Sequence, residues 1–206
     1  MTPMVLVGAG GHAKVIIEAF RAMGGFALVG LLDPAPPSPT VLGVRVLGDE
    51  RRLDGLRREG ISHAFVAIGA NAVRAGIAAR LDALGFMQPV AIHPSAFVAP
   101  SARIAAGAIV MARAVLGTDS RAGRLVIVNT GAIVDHDCAL EEASHVGPGC
   151  TLAGNVVVGA RALLGAGSAV RPGIRIGADA LVGAGSAVVK DIAPGSKVAG
   201  APARPI

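Results

Sequence analysis

The sequence contains no tryptophan and no tyrosine, and five phenylalanines supply all of its aromatic residues. Stacking platforms for single-stranded nucleic acid are therefore nearly absent. The formal net charge is +5 and the pI about 10.2, but the densest basic segment, DERRLDGLRREG at 49–60, interleaves acids with its arginines, as an exposed helix face does. We predict no nucleic-acid partner. A modest positive field equally suits small ligands that carry several phosphates.

Long hydrophobic runs are also missing, although 52% of the residues are hydrophobic. No run approaches the ~20 residues that a membrane-spanning helix needs. The first residues, MTPMVLVGAGGH, have no basic segment and are soon interrupted by glycine, so a signal peptide is not expected. We therefore predict a cytoplasmic protein with no membrane partner, in which the two cysteines are thiols.

Strand and helix patterns alternate over the first part of the chain. Short apolar runs, typical of buried strands, alternate with longer segments that have helical spacing. The strand-like segments are 4–8, 27–33, 44–48, 63–69 and 88–92, and the helical segments are 12–25, 49–60 and 71–85. Strands separated by helices of this length indicate parallel βαβ units. We predict a small open α/β domain over residues 1–91.

A different pattern begins at Ile92. Every sixth residue from Ile92 to Val188 is isoleucine, leucine or valine, except Ala122, and small residues dominate four places after each of them. The small residue and the next aliphatic residue share one strand face, so both point inward. A period of six held for about a hundred residues indicates a parallel β-helix of hexapeptides. We place this domain at 92–206 and expect Cys138 and Cys150, which occupy small inward positions, to pack in its core.

Beyond the repeat, four stretches carry a family resemblance: VGAGGHAKV (7–15), FVAIGANAVR (65–74), IHPSA (92–96) and VNTGAIVDHDCALEEASHVGPGCTLAGNV (128–156). They resemble the PglD/NeuD sugar acetyltransferases, and the resemblance covers nearly the whole chain. It implies a Rossmann-like domain followed by a left-handed β-helix with three hexads per coil, assembled as a homotrimer. It also implies acetylation of the 4-amino group of a nucleotide-linked 4-amino-4,6-dideoxy sugar by acetyl-CoA, in cell-surface glycan biosynthesis.

His136 is the candidate general base. It is the third residue of its hexad, so it lies at a corner of the coil and outside the core. With three hexads per coil, Gly154, eighteen residues later, stacks at the same corner, about 5 Å away. A sugar amine must lose a proton before it attacks a thioester, and histidine titrates in the range that suits this task.

Other groups around the reacting atoms follow from the resemblance. It implies that Asp137, rather than Asp135, orients the catalytic histidine. It also implies that the amide of Gly154 and the side chain of His145 contact the acetyl carbonyl, and that Asn129 lies close to the sugar. A backbone N–H at a glycine is well suited to stabilise the oxyanion of a tetrahedral intermediate.

GAGGHA at 8–13 fits the pattern G-x-G-x-x-G/A between a strand and a helix. A dinucleotide cofactor is the usual interpretation, with Asp33 as the ribose-binding acid, but about 90 residues supply only half of a dinucleotide fold. The N–H groups at the helix start can instead hold one diphosphate, and the resemblance implies a nucleotide sugar. The candidate residues are Gly10, Gly11, His12, Ala13 and Lys14 on the diphosphate side, and Asp33 and Gly69 nearer the nucleoside.

Acetyl-CoA is expected in a groove between adjacent subunits. Its candidate contacts are His145, Gly154, Ala166, Gly167, Gly183 and Ala184, with Arg171 and Lys190 near its phosphates. We predict no metal, because His136 and His145 occupy corner and face positions nine residues apart, and the cysteines point elsewhere.

Three alternative functions stay open. One is O-acetylation of a sugar such as sialic acid, as assigned to NeuD-like members. Another is a non-catalytic β-helix that binds a nucleotide sugar as a sensor or scaffold. The third is a nucleotide-dependent oxidoreductase, which lacks a second nucleotide-binding half. The sequence leaves both the sugar and the nucleotide, UDP or GDP, undetermined.

Overall fold

The computed structural model describes the whole chain, Met1–Ile206, which divides into two compact units, Met1–Pro89 and Val90–Ile206. In chain order the first unit contains β1 (Thr2–Val7), α1 (Gly11–Met23), β2 (Phe26–Leu32), β3 (Thr40–Val41), β4 (Val44–Arg45), a 3-10 helix (Glu50–Arg52), α2 (Leu53–Arg58), β5 (His63–Val66) and α3 (Asn71–Ala83). Three of the strands form a parallel sheet in the order β2-β1-β5.

The core of the first unit is centred on β1. Four successive residues, Met4–Val7, are buried, so both faces of this central strand are covered, as is usual in parallel sheets. Helix α1 buries Ile16, Ile17 and Phe20 at helical spacing. The Phe20 ring packs edge-on against Phe65, with 5.0 Å between ring centroids. The continuous burial of β1 and the helical spacing of the buried residues in α1 both agree with the predicted alternation of strand and helix.

The second unit is a β-helix in which each strand pairs, in parallel, with the strand eighteen residues further along. Ile127 pairs with His145 and Ile133 with Thr151, for example. Because three hexads complete one coil, the strands form three faces. Face 1 contains Ala91–Ile92, Ile109–Val110, Ile127–Val128, His145–Val146, Leu163–Leu164, Leu181–Val182, Lys197–Ala199 and, antiparallel at its end, Arg204–Pro205; face 2 contains Phe97–Val98, Val115–Leu116, Ile133–Val134, Thr151–Leu152, Ala169–Val170 and Ala187–Val188; face 3 contains Arg103–Ile104, Arg121–Ala122, Ala139–Leu140, Val157–Val158 and Arg175–Ile176.

The interior of the β-helix is filled by the period-six residues. The aliphatic residue that ends each strand points inward, and Val134, Val146 and Leu152 are all inaccessible to solvent. Cys138 and Cys150 are buried free thiols, as predicted, and burial raises the pKa of both. A small α/β domain followed by a parallel β-helix is the predicted fold class, and the structure confirms it.

Two segments differ from the expectation for the α/β region. Ala91–Ile92 pairs with Ile109–Val110 and begins face 1, because Ile92 is already in phase with the hexapeptide repeat. Residues 44–48 do not form a full parallel strand. Val44–Arg45 pairs with Thr40–Val41 in a short antiparallel hairpin, and only Val46 bridges to β2. No helix of the protein combines the length and the apolar character needed to cross a membrane.

Candidate active site

The corners of successive coils stack into three edges of the β-helix. Edge A joins faces 1 and 2 and contains the corner 129–132 with the corners stacked on it at intervals of eighteen residues. Edge B joins faces 2 and 3 and contains the corner 135–138 and its stacked equivalents. Edge C joins faces 3 and 1 and contains 141–144 and its equivalents. The last residue of each corner points into the interior, whereas the side chains before it project outward, where they can meet a ligand.

His136 lies on edge B with 58% of its side chain exposed. Its Nδ1 is 2.7 Å from Oδ2 of Asp137, and its backbone N–H donates to Oδ1 of Asp135 at 2.8 Å. The hydrogen bond to Asp137, followed by the negative charge of Asp135, raises the pKa of His136. Asp137 has a φ of 59°, a left-handed conformation that aspartate tolerates better than most residues. The corner thus surrounds one imidazole with two carboxylates.

The contact with Asp137 determines how His136 carries its proton. A carboxylate only accepts hydrogen bonds, so Nδ1 of the neutral ring must be the protonated nitrogen. The lone pair is then on Nε2, on the side of the ring away from Asp137. This is the arrangement of an oriented general base.

Gly154 lies directly under the His136 ring, one coil further along. A Cβ atom added to Gly154 would overlap Cε1 and Nε2 of His136, so only glycine leaves room for this ring position. The backbone of the next residue, Asn155, donates to the His136 carbonyl at 2.9 Å. The amide N–H of Gly154 donates to no acceptor within the chain. An unused N–H beside the base can hold an oxyanion.

Asn129 and His145 form a second polar pair, on edge A and on face 1 beside it. Nδ2 of Asn129 is 2.9 Å from Nε2 of His145, while Oδ1 of Asn129 accepts the Thr130 N–H at 2.7 Å. Because a backbone N–H fixes Oδ1 as the acceptor, the amide nitrogen donates to His145. Nε2 of His145 therefore carries no proton, and its Nδ1–H is the donor of the neutral ring.

The sequence-derived catalytic residues thus form two groups. His136, Asp137 and Gly154 meet at edge B, whereas Asn129 and His145 meet at edge A, on the opposite side of face 2. A strand rise of 3.3 Å per residue over one hexad allows the two groups to lie up to roughly 20 Å apart within one chain.

The candidate acetyl-CoA contacts follow the same two edges. Gly183, Ala166, Gly167 and Ala184 stack above the Asn129 corner on edge A, because the repeat is eighteen residues. Arg171 and Lys190 stack above the His136 corner on edge B, two and three coils further along. No group of three or more His, Cys, Asp and Glu side chains is arranged to hold a metal ion.

In the first unit, the glycine-rich segment turns sharply from β1 into α1. Gly8 has a φ of 112°, and a Cβ there would overlap the Ile68 side chain. Gly10 and Gly11 have open space where a Cβ would stand, and no side chain caps the start of α1. Uncapped N–H groups at a helix start are a ready site for an anion such as a diphosphate.

The remaining candidates around this segment have different environments. Ala13 is buried and its amide donates to the Gly10 carbonyl at 3.1 Å, whereas Lys14 is exposed. The carboxylate of Asp33 accepts the N–H groups of Ala9, at 2.8 Å, and of Ala35, at 2.9 Å. Asp33 therefore ties the glycine-rich segment to the end of β2.

His12 is half-buried, and its Nε2 is shielded from solvent. Its ring lies next to Gly69, where a Cβ would be 4.0 Å from Cγ of the imidazole. Burial, and then the positive charge of Arg74, lowers the pKa of His12 to about 4. The ring is therefore neutral at physiological pH.

Comparison with known proteins agrees with this arrangement of units. Residues 3–81 match the PglD N-terminal domain family. Perosamine N-acetyltransferase from Caulobacter crescentus, solved as a His-to-Asn variant with CoA and GDP-perosamine, is 47% identical, with a TM-score of 0.96 over 100% of this chain and 97% of that one. The acetyltransferase domain of PglB from Neisseria gonorrhoeae FA1090, solved with acetyl coenzyme A, is 41% identical, with a TM-score of 0.94 over 99% and 98% of the two chains.

The chain belongs to the PglD/NeuD family of sugar acetyltransferases. UDP-N-acetylbacillosamine N-acetyltransferase from Bacillus subtilis (strain 168) is 40% identical over 116 residues, which are 54% of this chain. The match spans about half of that relative, 52% of its length. The agreement with the solved members of the family confirms the left-handed β-helix that the resemblance implied.

Arg74, which is not one of the predicted site residues, is a buried charged residue close to His12. Its side chain is buried, and its guanidinium donates to the carbonyls of Ile68, at 3.1 Å, and Gly69, at 2.9 Å. Burial lowers its pKa to about 10, so it stays charged at neutral pH. Arg74, Ala78 and Leu81 are the buried residues of α3, and they are spaced i, i+4 and i+7. This spacing places all three on one face of the helix, so the sequence could have indicated that Arg74 is buried.

Ser120 occupies one of the small inward positions of the hexapeptide repeat. Its hydroxyl contacts the backbone at both ends of the Asp135–Cys138 corner. No motif marks this serine. Only its position, sixteen residues before His136 in a repeat of eighteen, indicates that it lies beneath that corner.

Proposed function

We propose that this protein transfers the acetyl group of acetyl-CoA to the 4-amino group of a nucleotide-linked 4-amino-4,6-dideoxy sugar. The observation that carries the proposal is the exposed His136, bonded to Asp137 through Nδ1 and lying over Gly154. The relatives support the substrate class, because one was solved with CoA and GDP-perosamine, one with acetyl coenzyme A, and a third is named as a UDP-N-acetylbacillosamine N-acetyltransferase. Acetyl-CoA is a cytoplasmic metabolite, and we assign the reaction to that compartment.

In the proposed mechanism His136 removes a proton from the attacking amine. The neutral sugar amine adds to the thioester carbonyl, and Nε2 of His136 takes the proton that the nitrogen loses as the C–N bond forms. Asp137 stabilises the imidazolium through Nδ1. When the tetrahedral intermediate collapses, the C–S bond breaks, and the imidazolium can return the proton to the departing thiolate. Acetyl-CoA and amine thus give CoA thiol and amide.

The oxyanion of the intermediate needs hydrogen-bond donors that are already in place. The Gly154 N–H, which has no acceptor in the chain, is one candidate, and the Nδ1–H of His145 is the other. Each donor of this kind typically contributes about a hundredfold or more in rate. In this proposal Asn129 fixes the tautomer of His145 and lies near the reacting sugar.

We further propose that the active form is a homotrimer and that each site uses two copies of the chain. The first three strands of face 2 direct Phe97, Val115 and Ile133 outward. Phe97 is 59% exposed and Ile133 is 42% exposed. An apolar strip of this kind suits contact with a second copy. Edge B of one copy beside edge A of another would bring together two groups that lie on different edges of a single chain.

The ligand contacts in this proposal are those expected from the sequence. Gly10, Gly11 and His12 form the diphosphate site at the start of α1, with Ala13 in its backbone and Lys14 at its rim, and Asp33 and Gly69 lie nearer the nucleoside. Ala166, Gly167, Gly183 and Ala184 line the path of acetyl-CoA along edge A, and Arg171 and Lys190 lie on edge B at the level of its phosphates.

A thiol-release assay tests the function. Purified protein and acetyl-CoA are mixed with GDP-perosamine, a UDP-linked 4-amino sugar, CMP-sialic acid or free sialic acid, and free CoA thiol and product mass are measured. We expect release with at least one 4-amino sugar nucleotide and a product that gains one acetyl group and resists hydroxylamine, as an amide does. A hydroxylamine-sensitive ester formed on the sialic acids alone would instead establish O-acetylation. Thiol release with none of the sugars would contradict transfer altogether.

A further inference from the structure

A buried hydroxyl lies beneath the corner that carries His136. Ser120 is inaccessible to solvent. Its Oγ–H donates to the Asp135 carbonyl at 2.6 Å, and the same oxygen accepts the Cys138 N–H at 3.0 Å. One side chain therefore connects the first and last residues of the corner 135–138, with His136 between them.

The same contact recurs along edges A and B. Cys138 Sγ lies 3.3 Å from the Ala153 carbonyl, next to Gly154, and Cys150 Sγ lies 3.0 Å from the Gly165 carbonyl. Ser168 Oγ donates to the Gly183 carbonyl at 3.0 Å. In each case an inward hydroxyl or thiol reaches the first carbonyl of a corner fifteen residues further along. We call this contact the corner brace.

The brace is not an automatic result of placing serine inside the coil. Ser144 occupies the equivalent inward position at edge C, is fully buried, and its hydroxyl has no partner. The four corner braces are made by Ser120 and Cys138 on edge B and by Cys150 and Ser168 on edge A. These are the two edges that carry the candidate catalytic residues.

The outer side of the His136 corner offers little support from side chains. The side chains of Asp135, His136 and Asp137 are all exposed, and the His136 ring packs over Gly154. Asp135 and Asp137 reach His136 only through hydrogen bonds at 2.8 and 2.7 Å. Their direction depends on where the backbone of the corner lies. Backbone hydrogen bonds hold it on the outside, from the Asp137 N–H to the Thr118 carbonyl and from the Asn155 N–H to the His136 carbonyl, both at 2.9 Å. Ser120 adds support from inside, at both ends of the corner.

We propose that Ser120 is a positioning residue for His136, holding the corner so that Asp137 stays bonded to Nδ1 and Nε2 stays over Gly154. Cys138 provides the same brace for the Gly154 corner one coil further along. The inference rests on the proposed acetyl transfer for its kinetic test, but the geometry of the His136–Asp137 pair can be measured without any substrate.

The test compares Ser120→Ala with Ser120→Cys and with Ser144→Ala as the matched control. Ser144→Ala removes a buried hydroxyl that makes no hydrogen bond, so it should leave the kinetics at the wild-type level. Ser120→Ala should lower kcat roughly tenfold to a hundredfold, the cost of a catalytic group displaced by a fraction of an ångström to about 1 Å. The KM for acetyl-CoA should change little. Ser120→Cys should recover much of the loss, because cysteine makes the brace naturally at Cys138.

Two further measurements separate positioning from simple loss of stability. The melting temperature of each variant is taken first, and kinetics are measured well below it. The His136 ring is then titrated by NMR: without the brace its bond to Asp137 weakens, so its midpoint should move to lower pH in Ser120→Ala and return in Ser120→Cys. An unchanged titration, or equal kcat values for Ser120→Ala and Ser144→Ala, would overturn the proposal. Absence of transfer by the wild type would count against the proposed function alone.

Discussion

Two histidines of this protein have opposite environments, one in each unit. His12, at the start of α1, is half-buried with Nε2 shielded from solvent, and burial and Arg74 lower its pKa to about 4. His136, at edge B of the β-helix, is largely exposed, and Asp137 and Asp135 raise its pKa. The same side chain is thus held neutral in one unit and made more basic in the other.

The difference follows from the backbone that carries each ring. A helix start inside an α/β unit is packed on several sides, so charging a histidine there is costly. A corner of a β-helix projects from the core, and this corner places the His136 ring over Gly154 with two carboxylates nearby. We therefore expect proton transfer at His136, and we expect His12 to serve the proposed nucleotide-sugar site as a neutral group.

Replacing His136 gives the largest expected effect. His136→Asn keeps a polar side chain at the corner but removes the base, and kcat should fall by about 10²–10⁴, the usual contribution of general base catalysis. The KM for acetyl-CoA should stay within a fewfold of the wild type. Initial rates of thiol release with the accepted sugar nucleotide measure both constants.

His63→Asn is the matched control, because His63 lies at the start of β5 and takes no part in the proposed chemistry. It should retain wild-type kcat. If His136→Asn were as active as His63→Asn, the proton would have to leave by another route, and the contrast between the two histidines would lose its functional meaning.

Removing His12 should change the acid stability of the protein. The pKa of His12 is about 4 in the folded chain, against an ordinary value of 6.5, so the imidazole binds its proton more readily when the chain is unfolded. The free energy of unfolding therefore falls as the pH drops from about 6.5 to about 4, by about 3 kcal/mol from this group. His12→Gln cannot take up the proton, so its urea midpoints at pH 7.5 and 4.5 should lie closer together than those of the wild type.

His63→Gln serves as the control for this experiment. It keeps His12 and should keep the acid-dependent loss, measured at one protein concentration so that assembly does not change between samples. An equal acid-dependent loss in His12→Gln and the wild type would show that the destabilising proton binds elsewhere.

The β-helix could be predicted from the sequence almost residue by residue up to Val188, because its inward positions repeat every six residues with Ala122 as the one exception to the aliphatic series. The α/β unit could be predicted in outline only. The segment 44–48 has a strand pattern, yet most of it lies in a short hairpin after the proline-rich loop. The phase of a repeat specifies the register of its strands, whereas a βαβ pattern leaves the length and pairing of each edge strand to tertiary packing.

The candidate site divides in the same way. The stacking of His136 on Gly154 followed from the repeat and from three hexads per coil, and the contact is present. The neutral state of His12 could not be predicted, because its lowered pKa depends on burial and then on Arg74, which is distant in sequence and is brought close by the fold. The corner brace of Ser120 also needed coordinates, since no local pattern distinguishes it from Ser144.

Asp137→Asn gives the smallest of the expected effects and tests the cause of the raised pKa. Asparagine removes the charge and the strongest hydrogen bond at Nδ1, so the pKa of His136 should fall toward its ordinary value. A base with a lower pKa is deprotonated at lower pH, and the acidic limb of the kcat/KM profile should move in that direction. The plateau should fall about tenfold to a hundredfold, as for other partners that orient a functional imidazole.

Asp119→Asn is a close control for Asp137→Asn. Asp119 lies at the equivalent position one coil earlier and has the same left-handed backbone, with a φ of 54° against 59° for Asp137. Asp119→Asn therefore removes the same charge from a residue with the same backbone conformation, but it removes no contact with His136. If both variants shifted the acidic limb equally, the raised pKa of His136 would come from the combined negative charge along edge B and not from one contact. If only Asp137→Asn shifts it, the 2.7 Å contact does, and the two histidines differ because of one specific carboxylate.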